Sequence, residues 1–235
     1  MLKIENFEVM GWEAAIRGMR NPKNSWKKSD SFIPCYHKTE CHKCEDNQRC
    51  AYYFEDGLPY KKDDFIGTND LELMTRLRNA GTDHRKFMRM IIVYLDVTAP
   101  LYYWKEFDTY KVGTVANSCS TMHKIADKEF TLEDFSCEHL ENSWLAHLKE
   151  TIRLLNEARD AYNWCNTDAK KEWWWQMIQL LPSSYNQRRT VMLNYEVLAN
   201  MYKSRRNHKL DEWHTFCDWI EKLPYSELIT GKDRK

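Results

Sequence analysis

Four cysteines in one short segment form the clearest candidate site in the sequence. With the spacing C-x5-C-x2-C-x5-C, they are Cys35, Cys41, Cys44 and Cys50. A Zn²⁺ ion favours four sulfur or nitrogen ligands in a tetrahedron, and C-x2-C is the usual half of such a site. The spacing therefore predicts a structural zinc site, with an iron–sulfur cluster or a metal-free loop as the alternatives.

A second segment with chemical potential is small and polar, and its side chains are Thr114, Asn117, Ser118, Cys119, Ser120 and Thr121. It follows an aromatic-rich stretch in the middle of the chain. Small hydrogen-bond donors placed behind a helix end suit a loop that lines a phosphate or another ligand. A packed turn whose hydroxyl groups are satisfied within the protein is the alternative interpretation.

The residues before this polar segment predict the elements that position it. Apolar side chains alternate with the period of a half-buried strand, at Ile91, Val93, Leu95 and Val97. Ala99-Pro100 ends that strand, and proline suits the first turn of a helix. We therefore expect a short aromatic helix over residues 101–111, closed by Gly113.

This order of elements resembles that of the flavin-dependent thymidylate synthases, the ThyX family. Its members carry a His, a strand ending in Ala-Pro, an aromatic helix and the signature Arg-His-Arg-x-x-Ser-x-Asn-Glu-x-Ser-x-Arg-Tyr. His84 and Ala99-Pro100 stand at matching positions, and Thr114 takes the place of the first Ser. With one inserted residue, Asn117 and Ser120 match the Asn and the second Ser of the signature.

Most of the charged residues of that signature are missing here. Thr109, Tyr110 and Lys111 stand at the Arg-His-Arg positions, and Met122-His123 stands at the final Arg-Tyr. Family members often follow their first His with Glu-His, and those positions hold Arg89-Met90. The order of the predicted elements therefore resembles the family more closely than the residues at the signature positions do.

A further match lies toward the C-terminus. Leu181-Pro182 is followed twelve residues later by Asn194, as in the family's Leu-Pro and Asn-x-Arg. The Arg of that motif binds and polarises the pyrimidine nucleotide, but Glu196 stands in its place and reverses the charge. Glu196 could accept a hydrogen bond from the amino group of a cytosine-like ring, and Arg188 or Arg189 could supply the missing cation.

The resemblance implies a divergent flavin enzyme that transfers a one-carbon unit to a pyrimidine nucleotide or nucleobase. FAD is the implied cofactor, and folate is a candidate donor. A non-catalytic ThyX-like protein of binding or assembly is the alternative. The residues implied for cofactor binding are His84, Lys111, Thr114 and Asn117. Those implied for substrate binding are Ser120, His123, Arg188, Asn194 and Glu196.

The fold that the resemblance implies is α+β, with a small, mainly antiparallel sheet flanked by helices. Periodicity predicts an N-terminal strand over residues 3–9 and helices over 12–19, 138–165, 169–180, 191–202 and 210–223. A further helix is expected after a cap at Thr68 or at Asn69, which fits a capping box with Glu72, and Gly81 ends it. We expect a single domain over residues 1–235, with a cysteine-rich insertion at residues 35–50 and a disordered tail at residues 230–235. Because members of the family are homotetramers, we also expect a homo-oligomer.

Composition argues against several classes of function. The 235 residues carry 35 basic and 35 acidic side chains, a balance that argues against a general nucleic-acid or membrane-surface binder. No apolar run approaches the roughly 20 residues of a membrane span. We expect no signal peptide, and eight cysteines without one are typical of a reducing cytoplasm.

Elemental analysis of the purified protein should find about one zinc ion per chain, because four thiolates complete one tetrahedral site. The double variant Cys41→Ser, Cys44→Ser removes the C-x2-C pair and should lose the metal, whereas the control Cys137→Ser should retain it. Retention by the wild type should fall in acid, because the thiolates become protonated. A stable wild type without metal would leave only the metal-free loop.

Overall fold

The computed structural model describes residues 1–31 and 66–232 in full, and the backbone alone at residues 52–55 and 58–61. The four cysteines predicted to bind zinc lie outside the described residues, and so do residues 233–235. Within the described ranges, no group of three or more His, Cys, Asp or Glu side chains is arranged to hold a metal ion. The zinc site stays a prediction.

Strands of the described residues form two sheets. Their bounds are β1, Lys3–Met10; β2, Tyr52–Glu55; β3, Leu58–Lys61; β4, Ile92–Pro100; β5, Val115–Ser118; and β6, Asn186–Asn194. Strands β2 and β3 form an antiparallel hairpin, and the other four form an antiparallel sheet in the order β1-β4-β6-β5. The strand predicted over residues 3–9 is confirmed as β1, and the strand predicted from the alternation at residues 91–97 is confirmed as β4.

Helices account for most of the remaining described residues. Their bounds are α1, Trp12–Arg20; α2, Thr68–Asn79; α3, Leu101–Phe107; α4, Thr121–Lys124; α5, Asn142–Trp164; α6, Lys170–Leu180; α7, Tyr195–Arg205; α8, Asp211–Ile220; and α9, Glu227–Thr230. The predicted α+β class is confirmed. Judged on the part of the chain that the structure describes, no helix has the length and apolar character needed to cross a membrane.

Strand β4 forms as its alternation predicts. Val93, Leu95 and Val97 are buried on one face, while Tyr94 and Asp96 point to the opposite face, which is more open. Such a one-sided strand suits an antiparallel sheet with one packed face and one wet face. Pro100 ends the strand and directly precedes α3, which is shorter than the predicted aromatic helix.

Two predicted elements differ from the structure. The polar segment after Gly113 is not a loop throughout, because Val115–Ser118 forms the edge strand β5 against β6. The helix predicted over residues 191–202 is wrong in its first turn, because those residues complete β6 and α7 begins only at Tyr195. Residues 193–199 are all buried, so their hydrophobic pattern does not mark the change from strand to helix.

The described residues divide into two compact units. The first comprises residues 1–8, 94–193 and 203–219, and the second comprises residues 9–93, 194–202 and 220–235. The single-domain prediction, including its cysteine-rich insertion, stays a prediction. In the predicted tail, Thr230 ends helix α9.

Apolar packing in the first unit centres on helices α5 and α6 and on an aromatic cluster. The two helices and the segment before them share one buried core. Its members include Phe130 of that segment, Leu155 of α5 and Met177 of α6. Of the three consecutive tryptophans of α6, only Trp174 packs on this core, and its Nε1 donates to the Met122 carbonyl at 2.9 Å. The aromatic cluster joins α3 to α8 and comprises Tyr103, Trp104, Phe107, Trp213 and Phe216.

The second unit contains a buried ion pair between Arg20, at the end of α1, and Asp70, in the first turn of α2. The two side chains are 4% and 0% exposed, and Arg20 Nε donates to Asp70 Oδ1 at 2.6 Å. The other carboxylate oxygen accepts from the Ser29 and Ser31 hydroxyls at 2.7 and 2.6 Å. Burial would raise the pKa of Asp70, but the hydroxyl groups and the guanidinium together hold it below its usual value.

The loop that follows α1, which carries Ser29 and Ser31, also caps helix α2. The Asp30 carboxylate accepts from the backbone nitrogens of Asn69 and Asp70 at 2.9 and 3.1 Å. The sequence offers Asn69 and Glu72 as a local capping box, but the cap comes from a residue far away in the chain. The loop, α1 and α2 are therefore joined by hydrogen bonds to two carboxylates.

The variant Asp70→Asn should lower the free energy of unfolding by about 3–5 kcal/mol, because it leaves the Arg20 charge buried without a counterion. The folded-state pKa of Asp70 lies below the unfolded value of about 3.9, so its contribution is full above that pH and is lost as the pH falls through the folded value. Urea unfolding at neutral pH and in acid measures both effects.

The control for this experiment is Asp127→Asn, which removes one partner of the exposed Lys124–Asp127 ion pair. Exposed pairs contribute little because water and salt screen them, so this variant should unfold nearly as the wild type does. Equal losses in the two variants would contradict a special role for the buried pair.

Candidate functional site

A polar cluster occupies the open face of the four-stranded sheet in the first unit. Asp96, on β4, accepts from Thr190 Oγ1 at 2.6 Å, from Arg188 Nη2 at 2.7 Å and from Asn6 Nδ2 at 2.9 Å. These hydrogen bonds, chiefly that from Thr190, hold the pKa of Asp96 well below its usual value. The carboxylate is therefore ionised at neutral pH, and Arg188 neutralises it.

Two sequence-predicted site residues lie on or beside this Asp96 cluster. Arg188 belongs to it and keeps nearly half of its side chain exposed. Asn117 pairs with Thr190 in the register of β5 and β6, and its side chain is exposed at the sheet edge. The sheet therefore brings Asn117 and Arg188 onto neighbouring strands.

The remaining predicted residues of the first unit follow β5 or precede it. Ser120 caps α4, since its Oγ accepts from the His123 backbone nitrogen at 3.1 Å. Thr114 Oγ1 donates to the Tyr110 carbonyl at 2.5 Å. The side chains of His123 and Lys111 are exposed. The Ser120 and Thr114 hydroxyl groups are thus satisfied locally, as the alternative interpretation of the polar segment has it.

A cavity of about 570 Å³ opens beside Ser120, and Arg188 also lines it. One wall is fixed by Gln187, whose Nε2 donates to the Cys119 carbonyl at 3.1 Å. Lys124 and Lys128 line the cavity too, but each is paired with an acid, Asp127 and Asp134 respectively. The cavity therefore presents mostly neutralised charge.

Arg189 has a structural environment. Its guanidinium lies over the Trp104 ring, 4.2 Å from the ring centroid, and pairs with Asp108 at 2.8 Å. The side chain is largely buried. Arg189 therefore already has an aromatic and an anionic partner.

Asn194 and Glu196 come together in the second unit, where β6 ends and α7 begins. Asn194 Oδ1 accepts from the Val197 backbone nitrogen at 3.0 Å, which makes Asn194 the cap of α7. Glu196 lies in the first helical turn, where the helix dipole favours a negative charge. The start of helix α7 thus explains the spacing of Asn194 and Glu196, because the first residue caps the helix and the second lies in its first turn.

The Glu196 carboxylate is buried and paired with two arginines. Its side chain is 7% exposed, one oxygen accepts from Arg89 Nε, and the other accepts from Arg85 Nε at 3.4 Å. Arg85 also donates to Asn200 Oδ1 at 3.0 Å. Hydrogen bonding to Glu196 raises the pKa of Arg89, whose side chain remains 55% exposed. The cations that contact Glu196 are thus Arg85 and Arg89, whereas Arg188 and Arg189, which the sequence suggested, pair with Asp96 and Asp108.

The contacts of Asp96, Arg85 and Arg89 are not predicted from the sequence. An acid on the polar side of an alternating strand was the available signal for Asp96. The arginines lie in a short 3-10 helix, Arg85–Met90, more than a hundred residues before Glu196 in the chain. Their ion pairs depend on tertiary structure. His84 precedes this helix, and its side chain is exposed.

An antiparallel sheet of this order, with flanking helices and an asparagine-capped α7, defines an α+β fold of a particular kind. That fold is ThyX-like. The chain is similar to ThyX from Helicobacter pylori, solved with FAD and dUMP, at 14% identity, 98% coverage of each chain and a TM-score of 0.62. A second structure of the H. pylori enzyme, complexed with FAD and dUMP, gives 14% identity, 98% coverage of each chain and a TM-score of 0.58.

The fold also extends to an enzyme with a different description. The UMP/dUMP methylase PolB from Streptomyces cacaoi, bound with 5-Br dUMP, is 11% identical, covers 98% of this chain and 95% of its own, and has a TM-score of 0.55. No protein-family model and no curated protein sequence matches the chain. The likeness therefore establishes the fold.

A double-mutant cycle tests the ion pair of Arg89 and Glu196. Arg89→Glu places two carboxylates together, and Glu196→Arg places three guanidinium groups together, so each single variant should be destabilised. The combined variant restores opposite charges, so its loss should be smaller than the sum by about 1–2 kcal/mol, a modest value because Arg89 is half exposed. Urea unfolding of the four proteins measures the coupling.

The exposed pair of Glu150 and Arg153 on α5 supplies the control cycle. Reversal of both charges there should give almost no coupling, because the pair is solvated. Strictly additive losses at Arg89 and Glu196 would contradict a direct interaction between them.

Proposed function

We propose that this protein is a divergent ThyX-like flavin enzyme that acts on a pyrimidine nucleotide or nucleobase and uses FAD. The fold supports this proposal, because nearly the whole chain superposes on structures of a thymidylate synthase with FAD and dUMP, and on a structure of a UMP/dUMP methylase bound with 5-Br dUMP. When bound, FAD would supply the chemistry that the resemblance implies, the transfer of a one-carbon unit from methylene-tetrahydrofolate to uracil C5. The substrate of this protein differs from dUMP or is held differently.

An exchange of charges between the positions of Arg89 and Glu196 supports an altered substrate. In the resembled family, the position of Arg89 often holds Glu and the position of Glu196 holds the Arg that contacts the pyrimidine. Here both charges are reversed, and the two side chains are in contact. The two positions carry opposite charges in both cases, but here the cation stands on the short helix that follows His84.

This exchange changes what a ligand meets. Each Glu196 oxygen already accepts from an arginine, so an amino group of a ligand must displace one of them or share an oxygen. Arg89, by contrast, presents a half-exposed guanidinium that suits a carbonyl oxygen or a phosphate. We infer that Arg89 and Glu196 together determine which base is accepted.

The described residues meet a flavin's needs only in part. At the Arg-His-Arg positions, Thr109 Oγ1 donates to the Glu106 carbonyl at 2.7 Å, and the Tyr110 hydroxyl accepts from Arg205 Nε at 3.0 Å. Lys111 is the exposed cation left at these positions, and it would face the flavin phosphates. His84, Thr114 and Asn117 complete the proposed cofactor set.

A non-catalytic ThyX-like protein is the second candidate, and one observation favours it. Thr114 and Ser120, which stand for the two serines of the signature, have their hydroxyl groups engaged in a turn and a helix cap.

For both candidate functions we propose a homo-oligomer, supported by the exposure of Trp144 and Trp164 on α5, at 69% and 86%.

Absorbance of the purified or FAD-treated protein tests the flavin proposal. The wild type should show flavin bands, and Lys111→Ala should weaken FAD binding because it removes a cation from the phosphates. Lys105→Ala, an exposed lysine on α3, is the matched control and should bind FAD as the wild type does. Colourless protein that takes up no FAD would support the non-catalytic candidate.

Calorimetric titration with dUMP and dCMP, together with a thymidylate assay, tests the exchanged charges. The wild type should bind dUMP weakly and form no thymidylate from it at the rate of a ThyX enzyme assayed in parallel. The combined variant Arg89→Glu, Glu196→Arg should bind dUMP at least about tenfold more tightly, which corresponds to about 1.4 kcal/mol. Tight dUMP binding with thymidylate formation by the wild type would overturn the altered substrate.

A further inference from the structure

The two arginines that contact Glu196 differ in their surroundings. The Arg85 side chain is 15% exposed, whereas that of Arg89 is 55% exposed. Arg85 also donates from Nη2 to Asn200 Oδ1 at 3.0 Å, so two side chains of α7 hold its guanidinium. Arg85 is therefore the settled partner of the carboxylate, and Arg89 is the partner that a ligand can reach.

The short 3-10 helix that carries both arginines is firmly packed. Phe87 and Met88 are buried. Met90 approaches α1 so closely that a Cβ atom at Gly18 would lie 2.9 Å from Met90 Sδ. Because the backbone is fixed in this way, a change of partner by Arg89 requires rotation of its own side chain and no movement of the helix.

Positive charge exceeds negative charge at this contact, since two guanidinium groups face one carboxylate. Asp83 and Arg78 act on the arginines through charge and offset each other. Hydrogen bonding to Glu196 raises the pKa of Arg89 most, and the charge of Asp83 adds a smaller effect. Burial lowers the pKa of Arg78, and the charge of Arg85 lowers it further. One positive charge is thus left for an anionic ligand to balance.

A ligand that draws Arg89 away from Glu196 has to be an anion. The carbonyl oxygen of a neutral base offers a hydrogen bond but no charge, so it does not replace an ion pair with a carboxylate. A phosphate offers negative charge and two oxygens that a guanidinium binds in bidentate fashion. The exchange also requires that Glu196 keep a counterion, because a buried carboxylate left unpaired is costly.

We propose that Arg85 is a positioning residue that stays on Glu196 while Arg89 moves from Glu196 to a phosphate of the ligand. Arg85 acts through Glu196, because it keeps the carboxylate neutralised before and after the move. The protein therefore takes a nucleotide in preference to the corresponding nucleoside or base. The nucleotide as the source of the phosphate rests on the proposed function, whereas the exchange of Arg89 between two anions does not depend on flavin chemistry.

Calorimetric titration of the full chain with dCMP and with deoxycytidine tests the exchange. The quantity to compare is the phosphate advantage, defined as the Kd for deoxycytidine divided by the Kd for dCMP. Effects of a variant on the base alone cancel in this ratio. The wild type should show an advantage of about tenfold to a hundredfold, the range that a hydrogen bond to a charged group usually gives. Arg89→Gln should abolish it.

Arg85→Gln should lower the phosphate advantage about tenfold, because Glu196 then holds Arg89 as its counterion. Addition of Glu196→Gln removes the carboxylate that holds Arg89, so the combined variant should regain the wild-type advantage. Arg85→Lys retains a cation beside Glu196 and should keep most of it. Arg153→Gln, which removes a cation from the exposed Glu150–Arg153 pair of α5, is the control and should leave the advantage unchanged.

A phosphate advantage that is lost in both Arg85→Gln and the combined variant would overturn the exchange, because Arg85 would then bind the phosphate itself or only support the fold. An unchanged advantage in Arg85→Gln would overturn it as well. So would a wild type that binds dCMP no more tightly than deoxycytidine, or that does not bind dCMP.

Flavin uptake separates this proposal from the proposed function. The expected pattern of phosphate advantages in a protein that takes up no FAD would support the exchange and overturn the flavin. Uptake of FAD by a protein without a phosphate advantage would keep the flavin and overturn the exchange.

Discussion

The second unit depends on one buried ion pair, that of Arg20 and Asp70. Two charges removed from water stabilise a fold only when their remaining hydrogen-bonding groups are satisfied. Here the guanidinium reaches two loop carbonyls, and the carboxylate accepts from two serine hydroxyls. The pair thereby fixes the loop after α1, and that loop supplies both the Asp30 cap of α2 and one wall of a cleft that α2 and the segment containing His84 also line.

Charge is distributed unevenly between the features described here. On the sheet face and around Glu196, each cation has an acid as its partner, so those regions are organised by internal pairing. At the cleft beside the loop after α1, Lys23, Lys28, Arg76 and Lys86 form no ion pair with a described acid. The formal net charge of zero thus conceals a local surplus, and composition could not reveal where it lies.

Much of the fold could be predicted from local patterns, but the contacts at the candidate sites could not. Strand β4 and helix α1 were predicted correctly, because the apolar residues that recur with the period of a strand or a helix are the ones that are buried. The boundary at Asn194 was missed because residues on both sides are buried. The Asp30 cap and the partners of Glu196 require chain segments distant in sequence to meet, and no residue pattern encodes such a meeting.

The Arg89–Glu196 contact also limits how such a site can evolve. Reversal of either charge alone would set like charges side by side around a nearly buried group, in a protein whose whole stability is of the order of 5–15 kcal/mol. A lineage that changes from one arrangement to the other therefore has to pass through an uncharged residue such as glutamine at one position. Neutral intermediates of this kind, rather than direct reversals, are the accessible route between the two forms of the pair.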